Sequence, residues 1–305
     1  MHVLITGGAG FIGRHLAHRL TETGHQVHLV DNLSVTPMRP PPQTLDTRDV
    51  RNLTLADLDT VDAVVHLAAA KSVPDSFTNS DHLLHNITVD RHILDLCAAA
   101  RPKRLLIASS CEVYGQRDQQ PCAEHQRPGP RSPYAVGKLT TEHLAAVHRA
   151  LHPDQQITCL RLHNVYGPDE GADAVVPAFL DAALTGQPLT IDGTGEQARD
   201  LSHIDDMVTM LTTVLLHPQP PPPVLNLGSG RATTILDLAH LVLAAAGSGS
   251  ISHGPTRPNE ITTFVADMAR YRSRYGTPPR RPLPPAIATA LHARAALRPH
   301  ALTRP

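Results

Sequence analysis

The chain has 305 residues, 41% of them apolar, and carries 27 Lys and Arg against 28 Asp and Glu. That length and apolar content are enough for one large globular domain or two unequal lobes, and the balanced, interspersed charge argues against bulk attraction to nucleic acid or an anionic membrane, leaving a small molecule as the expected partner. No apolar run approaches the roughly 20 residues that span a bilayer, and the start MHVLITGGAGFIG lacks the charged region and cleavage site of a secretory leader, so a cytoplasmic protein is expected.

In chain order, HVLITGG reads as a short buried strand, GFIGRHLAHRLTETG as a helix closed by glycine, and HQVHLVD as a second strand, which together make a βαβ unit. Further apolar runs at 63–69, 104–110, 157–167 and 223–230 alternate with helical stretches. This is the pattern of an α/β, doubly wound parallel sheet of the Rossmann type, covered on both faces. TPMRPPPQ (36–43), RPGPRSP (127–133), HPQPPPP (217–223) and AGSGSISHG (246–254) read as loops. From about Thr277 the tail reads as one packed helix and a loose end. The division expected is a nucleotide-binding domain over 1–166 plus about 198–228, and a smaller substrate lobe over about 167–197 plus 229–305. The four cysteines, Cys97, Cys111, Cys122 and Cys159, form no C-x-x-C pair and are expected as reduced thiols. The 20 histidines match no metal motif. His15/His18 and His82/His85 have helical spacing but are more simply exposed helix faces, so no metal is expected.

GGAGFIG places Gly7, Gly10 and Gly13 at the first strand-to-helix turn, where missing side chains let the backbone approach a pyrophosphate and the helix N-terminus offers free N–H groups. Asp31 ends the second strand 18 residues after Gly13, placed to accept hydrogen bonds from a ribose diol. A carboxylate there repels a 2′-phosphate, and no Arg follows it in DNLS, so NAD is expected over NADP. In SPYAVGK, Tyr134 and Lys138 stand four residues apart and share one helix face. A free phenol titrates near 10. A neighbouring ammonium, with the positive nicotinamide ring, is expected to lower that value so that Tyr134 acts as a base near neutrality, while Lys138 also holds the nicotinamide ribose.

These features, together with HLAA (66–69), HNVYGP (163–168), DGTGEQARDLSHIDD (192–206), NLGSG (226–230) and RPNE (257–260), resemble the extended short-chain dehydrogenase/reductase family over nearly the whole chain, specifically its nucleotide-sugar epimerases, dehydratases and decarboxylases. The resemblance implies a cofactor site of Gly7, Gly10, Phe11, Ile12, Gly13, Asp31, Asn32, Asp49, Val50, Leu67, Ala68, Ala69, Lys71, Tyr134 and Lys138. It implies a UDP-sugar site of Lys71, Ser72, Asn164, Val176, Arg199, Arg257 and Glu260. Within it, Asn164 would contact the sugar or diphosphate, Arg199 and Arg257 would hold the diphosphate, and Glu260 would lie near the ribose. By analogy it also implies a homodimer formed through helices around 83–100 and 138–151.

SSCEVYG, at the end of the 104–110 strand, separates the subfamilies. By the same resemblance, epimerases usually carry small residues at the positions of Cys111 and Glu112, 4,6-dehydratases an Asp-Glu pair and decarboxylases Ser-Glu. Glu112 therefore argues against a simple epimerase, and Cys111 departs from both other patterns. Ser110-Cys111-Glu112, KSVPDSF (71–77), the VTPMRPPP loop and RPNEIT (257–262) are most similar to the NDP-hexosamine 5,6-dehydratase branch. That branch implies UDP-GlcNAc as substrate, a 5,6-ene product, catalysis by Tyr134, Lys138, Ser110, Cys111 and Glu112, and a place in nucleoside-antibiotic synthesis. A thiol remains protonated at neutral pH, so Cys111 is either an acid or simply packing. A 4-epimerase or a UDP-glucuronate decarboxylase, using the same Tyr134, Lys138 and NAD, stays open, as does a non-catalytic NAD-binding sensor.

Overall fold

The computed structural model describes residues 1–35, 44–79, 81–257 and 260–297; the 36–43 loop, two residues of RPNE and the end of the tail lie outside them. The chain opens with β1 (His2–Thr6), α1 (Phe11–Glu22) and β2 (Gln26–Val30), the predicted βαβ unit. β3 (Leu45–Asp46), β4 (Ala63–His66), α2 (Val73–Thr78), α3 (Asp81–Ala100) and β5 (Arg104–Ser110) follow, then a 3₁₀ turn at Cys111–Tyr114, α4 (Pro133–Leu151) and β6 (Gln156–Leu162). Next come β7 (Asn164–Tyr166), α5 (Val175–Thr185), β8 (Leu189–Asp192), β9 (Ala198–His203), α6 (Ile204–Leu216) and β10 (Val224–Leu227). The last elements are β11 (Ala232–Thr234), α7 (Ile235–Ala246), β12 (Ile251–Gly254), β13 (Thr263–Phe264), α8 (Ala269–Tyr275) and α9 (Leu283–Leu297).

Seven strands form one sheet in the order β10-β6-β5-β4-β1-β2-β3, every pairing parallel. Its central strands β4 and β5 are buried along their whole length, as continuous apolar runs must be when helices cover both faces. On one face Leu16 and Leu20 of α1 meet Met207, Val208, Leu211 and Val214 of α6. On the other, Val89, Ile93 and Leu94 of α3 pack with Ala145 of α4 and Ile107 of β5. Each such side chain contributes about 1.5–3 kcal/mol on burial. A third core joins α5, α7 and α9 through Phe179, Leu180, Leu238, Val242, Ile287 and Leu291. Strand order reverses between β1 and β4, and the loops leaving the C-terminal ends of β1, β4 and β5 meet above that point, where doubly wound sheets bind their ligands.

Two sequence expectations change. The predicted strand over 157–167 is two strands, because β10 ends at Leu227, whose carbonyl accepts from the His163 N–H at 3.0 Å, and the main sheet offers no partner beyond it. The chain then joins a second sheet, where β7 and β13 run parallel to β9 and β11 antiparallel to it. The AGSGSISHG loop is also half strand, since β12 pairs with β8. All four cysteines are unpaired and buried. Among the described residues no helix is long and apolar enough to cross a membrane.

Candidate active site

The glycine turn is built by close backbone approach. Gly7 has φ +71°, and a Cβ on it would lie 2.7 Å from the Ala68 nitrogen; one on Gly13 would lie 2.2 Å from the Gly7 carbonyl oxygen. Neither position tolerates a side chain, so the turn keeps its amides bare at the start of α1, as a pyrophosphate requires. Asp31 accepts from the Ala9 N–H at 3.1 Å and the Leu33 N–H at 2.9 Å. It thereby ties the turn to the end of β2, and each carboxylate oxygen keeps a further lone pair for a ribose hydroxyl. Asn32 donates to Asp49 at 3.0 Å, and the Arg51 guanidinium, at 2.8 Å, holds the Asp49 carboxyl well below the usual carboxylate range. Val50 is buried beneath this rim, while Phe11 and Ile12 are half-buried at the start of α1. Leu67, Ala68 and Ala69 form the turn after β4, and buried Asn86 pins its continuation by accepting from the Ala70 N–H at 2.8 Å and donating to its carbonyl at 3.0 Å. A bare glycine cradle beside a carboxylate fits NAD.

Ser132 caps α4 by accepting from the Ala135 N–H at 3.1 Å, with Pro133 in the first turn. Tyr134 therefore sits at the helix entrance and Lys138 one turn in, on the same face. The Ser110 hydroxyl accepts from the Glu112 N–H at 3.2 Å and hydrogen-bonds both the Tyr134 phenol and the Cys111 thiol. Ser110, Cys111, Glu112, Tyr134 and Lys138 thus form one constellation at the end of β5. Its 3₁₀ turn is anchored from below, where the Tyr114 hydroxyl donates to Asn226 at 2.7 Å and its ring lies under Arg161. Arg161 is in turn paired in two-pronged fashion with buried Glu142. Cys111 belongs to a small apolar cluster with Tyr114, Cys122, Ile261 and Phe264.

Burial dominates the electrostatics here. It pushes the Cys111 thiol well up, with neighbouring Glu112 adding to the shift. It also raises the Glu112 carboxyl, against the Arg199 charge. The Tyr134 phenol is raised by burial and by Cys111, Glu112 and Asp90, while the Ser110 hydrogen bond opposes. The lowering expected from Lys138 is therefore not found in the protein alone: burial dominates, and the Lys138 ammonium faces the Asp90 carboxylate at 3.8 Å.

On the substrate side, Arg199 of β9 donates to the Ile261 carbonyl at 2.9 Å, forms an ion pair with Glu260 and lies over the Phe264 ring. Its charge reaches Glu112 and Cys111, so it borders the reacting residues as well as the rim assigned to a diphosphate. Arg257 is paired with Asp192 and remains 62% exposed, free to turn towards an anion. Asn164 is exposed on β7. Val176 has its side chain buried in the lobe core, and its backbone lies in the first turn of α5, where N–H groups lack acceptors within the helix. Ser72 caps α2 by accepting from the Asp75 N–H, and exposed Lys71 pairs with Asp173 at 3.1 Å.

Several residues at the site carried no motif. Arg14 of α1 forms a buried ion pair with Asp169 at 2.5 Å, tying the glycine helix to the loop after β7. Glu170 beside it is buried, and desolvation pushes its carboxyl up to about 8. An acid raised on folding contributes stability in full below its unfolded value of about 4.3, and that contribution is lost as pH rises through the folded value. Glu170→Gln is therefore expected to melt less steeply with pH than the parent, gaining on it by on the order of 1–3 kcal/mol between about pH 5 and pH 9. Parallel melting curves across that range would contradict this.

A model of the NAD dependent epimerase/dehydratase family matches residues 3–228. The chain is 30% identical over 302 residues to a dTDP-glucose 4,6-dehydratase of Streptomyces niveus, covering 92% of this chain and 88% of that one. Its structure is similar, with a TM-score of 0.92 and 38% identity, to TunA, an NAD-dependent NDP-hexosamine 5,6-dehydratase involved in tunicamycin biosynthesis, over 96% of this chain and 97% of that one. A UDP-glucuronic acid 4-epimerase of Bacillus cereus, solved with UDP-glucuronic acid and NAD, matches with a TM-score of 0.91 and 27% identity over 98% of this chain and 100% of that one. With its parallel sheet, its glycine cradle and the constellation at the end of β5, the chain belongs to the NAD dependent epimerase/dehydratase family of extended short-chain dehydrogenases/reductases, whose members use NAD to act on nucleotide sugars as dehydratases, epimerases or decarboxylases.

Proposed function

We propose that the protein is an NDP-hexosamine 5,6-dehydratase acting on UDP-GlcNAc. The observation that carries this reading is the pair Cys111 and Glu112, a buried thiol kept protonated beside a half-buried carboxyl, one hydroxyl away from Tyr134. The similarity to TunA at 38% identity supports it.

NAD, when bound, would supply reversible hydride acceptance for oxidation and re-reduction at C4 of the sugar. The Gly7–Gly13 cradle and Asp31 would hold its diphosphate and ribose, and Lys138 its second ribose. Tyr134, through Ser110, receives the C4 hydroxyl proton. The C4 ketone acidifies C5–H, and Glu112 is the base that removes that proton; its raised value makes it a stronger base than an ordinary carboxylate. Cys111 donates a proton to the hydroxyl leaving C6, and the proton on Glu112 restores the thiol. Water is lost, a C5–C6 double bond remains and no net redox change occurs. Arg199 and Arg257 hold the diphosphate, with forked guanidinium groups suited to phosphate oxygens. A dimer through α3 and α4 is supported by exposed Leu84, Val136, Val147 and Leu151 on these helices. A monomeric mass in light scattering would contradict it.

Mass spectrometry after incubation with UDP-GlcNAc and catalytic NAD tests the reading. A product lighter by one water is expected. Unchanged mass with inverted C4, or carbon dioxide release from UDP-glucuronate only, would assign the protein to the epimerases or decarboxylases instead.

A further inference from the structure

Behind the Tyr134/Lys138 pair lies a fully buried polar chain in which His66 belongs to the HLAA motif and Asp90 to none. Asp90 of α3 has no exposed surface, yet one carboxylate oxygen accepts from His66 Nε2 at 2.8 Å and the other accepts from the Thr141 hydroxyl and faces Lys138 Nζ at 3.8 Å. A carboxylate only accepts, so Nε2 carries the proton and Nδ1 is left to accept from the Thr6 hydroxyl at 2.5 Å. Thr6 is the last residue of β1, immediately before the glycine turn. The chain therefore links the nucleotide cradle to the ammonium of Lys138, which is itself only 2% exposed. A buried ammonium needs a counter-charge, and Asp90 supplies it. Burial pushes the Asp90 carboxyl up, but the Lys138 charge and the His66 and Thr141 hydrogen bonds outweigh it and hold it below its ordinary value, so it is ionised.

We propose that Asp90 is a positioning residue for the reacting pair: its carboxylate fixes Lys138 and governs how readily Tyr134 gives up its proton. The proposal rests on the reading of Tyr134 and Lys138 as that pair. The groups acting on Tyr134 are Ser110, Cys111 and Glu112 from the end of β5 and Asp90 from α3; those facing Asp90 are His66 from β4 and Lys138 and Thr141 from α4. Among them Asp90 is the negative charge that offsets Lys138. Burial first, and then the neighbouring groups including Asp90, keep the proton on the phenol, and a positive nicotinamide ring, when bound, would oppose them.

Tyrosinate absorbance of the NAD-bound protein, with the Tyr134→Phe spectrum subtracted, isolates the Tyr134 titration. Removing a negative neighbour favours the phenolate, so Asp90→Asn is expected to lower the midpoint by about one unit, a tenfold rise in tyrosinate at fixed pH. Asp90→Glu, which restores the charge, is expected to return it to the parent value, and Thr141→Val, which leaves the charge in place, to move it far less than Asp90→Asn. Should Asp90→Asn not fold, Asp90→Thr removes the same charge and is read in the same way. A midpoint that stays or rises when the charge is removed overturns the proposal. Failure of the underlying reading shows separately, as turnover retained by Tyr134→Phe.

Discussion

Tyr134→Phe is expected to lower turnover of the nucleotide sugar by about 10³-fold while leaving NAD affinity within a few-fold of the parent. The substitution keeps the ring and its burial and removes a single oxygen, the one that hydrogen-bonds Ser110. In the proposed site most of the grip on the cofactor falls to the glycine cradle, Asp31 and Lys138. The loss should therefore fall on kcat, with little change in KM, as expected when an interaction made in the transition state disappears. Steady-state kinetics together with a calorimetric NAD titration separate the two quantities. Turnover within tenfold of the parent would remove Tyr134 from the role of base.

The second large effect concerns Glu112. Glu112→Gln preserves shape and removes the base assigned to C5, so product formation should fall about 10³-fold while oxidation at C4 still proceeds. The variant should stall with the near-ultraviolet absorbance of reduced cofactor visible, whereas Tyr134→Phe should show none. The base must be ionised to act, and burial raises its carboxyl, so the acid limb of turnover in the parent should lie above the ordinary carboxylate range. Cys111→Ala distinguishes donor from packing. If the thiol assists departure of the C6 hydroxyl, C5 exchange continues and elimination falls; full turnover would leave Cys111 as a member of its apolar cluster with Tyr114, Cys122, Ile261 and Phe264.

The parts of this site that the sequence reveals are those with local geometry. Gly7, Gly10 and Gly13 announce a bare turn, and Tyr134 and Lys138 a shared helix face, because each involves neighbours along one element. The ion pairs Arg14–Asp169 and Arg199–Glu260 join residues far apart in sequence; the family resemblance marks Arg199 and Glu260 singly, and nothing local marks either pairing. Asp90 left one faint signal. Asn86 and Asp90 stand four apart in α3 and share the face on which Ile93 and Cys97 are buried, so two polar residues interrupt an otherwise apolar stripe. Their partners, Ala70 and His66, belong to β4 and the loop after it, and could not be deduced from periodicity. The second sheet has no signature in the sequence because β7, β11 and β13 are only two or three residues long, too short for an alternation to register.

Elimination across C5 and C6 is the central claim, and proton NMR of the reaction with UDP-GlcNAc and catalytic NAD in D2O tests it most directly. Exocyclic vinyl signals replacing the C6 methylene, with the C4 proton retained, are expected. A product with an intact C6 methylene and an undeuterated C5 would show that the C5–H bond is never opened, and would contradict the roles given to Glu112 and Cys111.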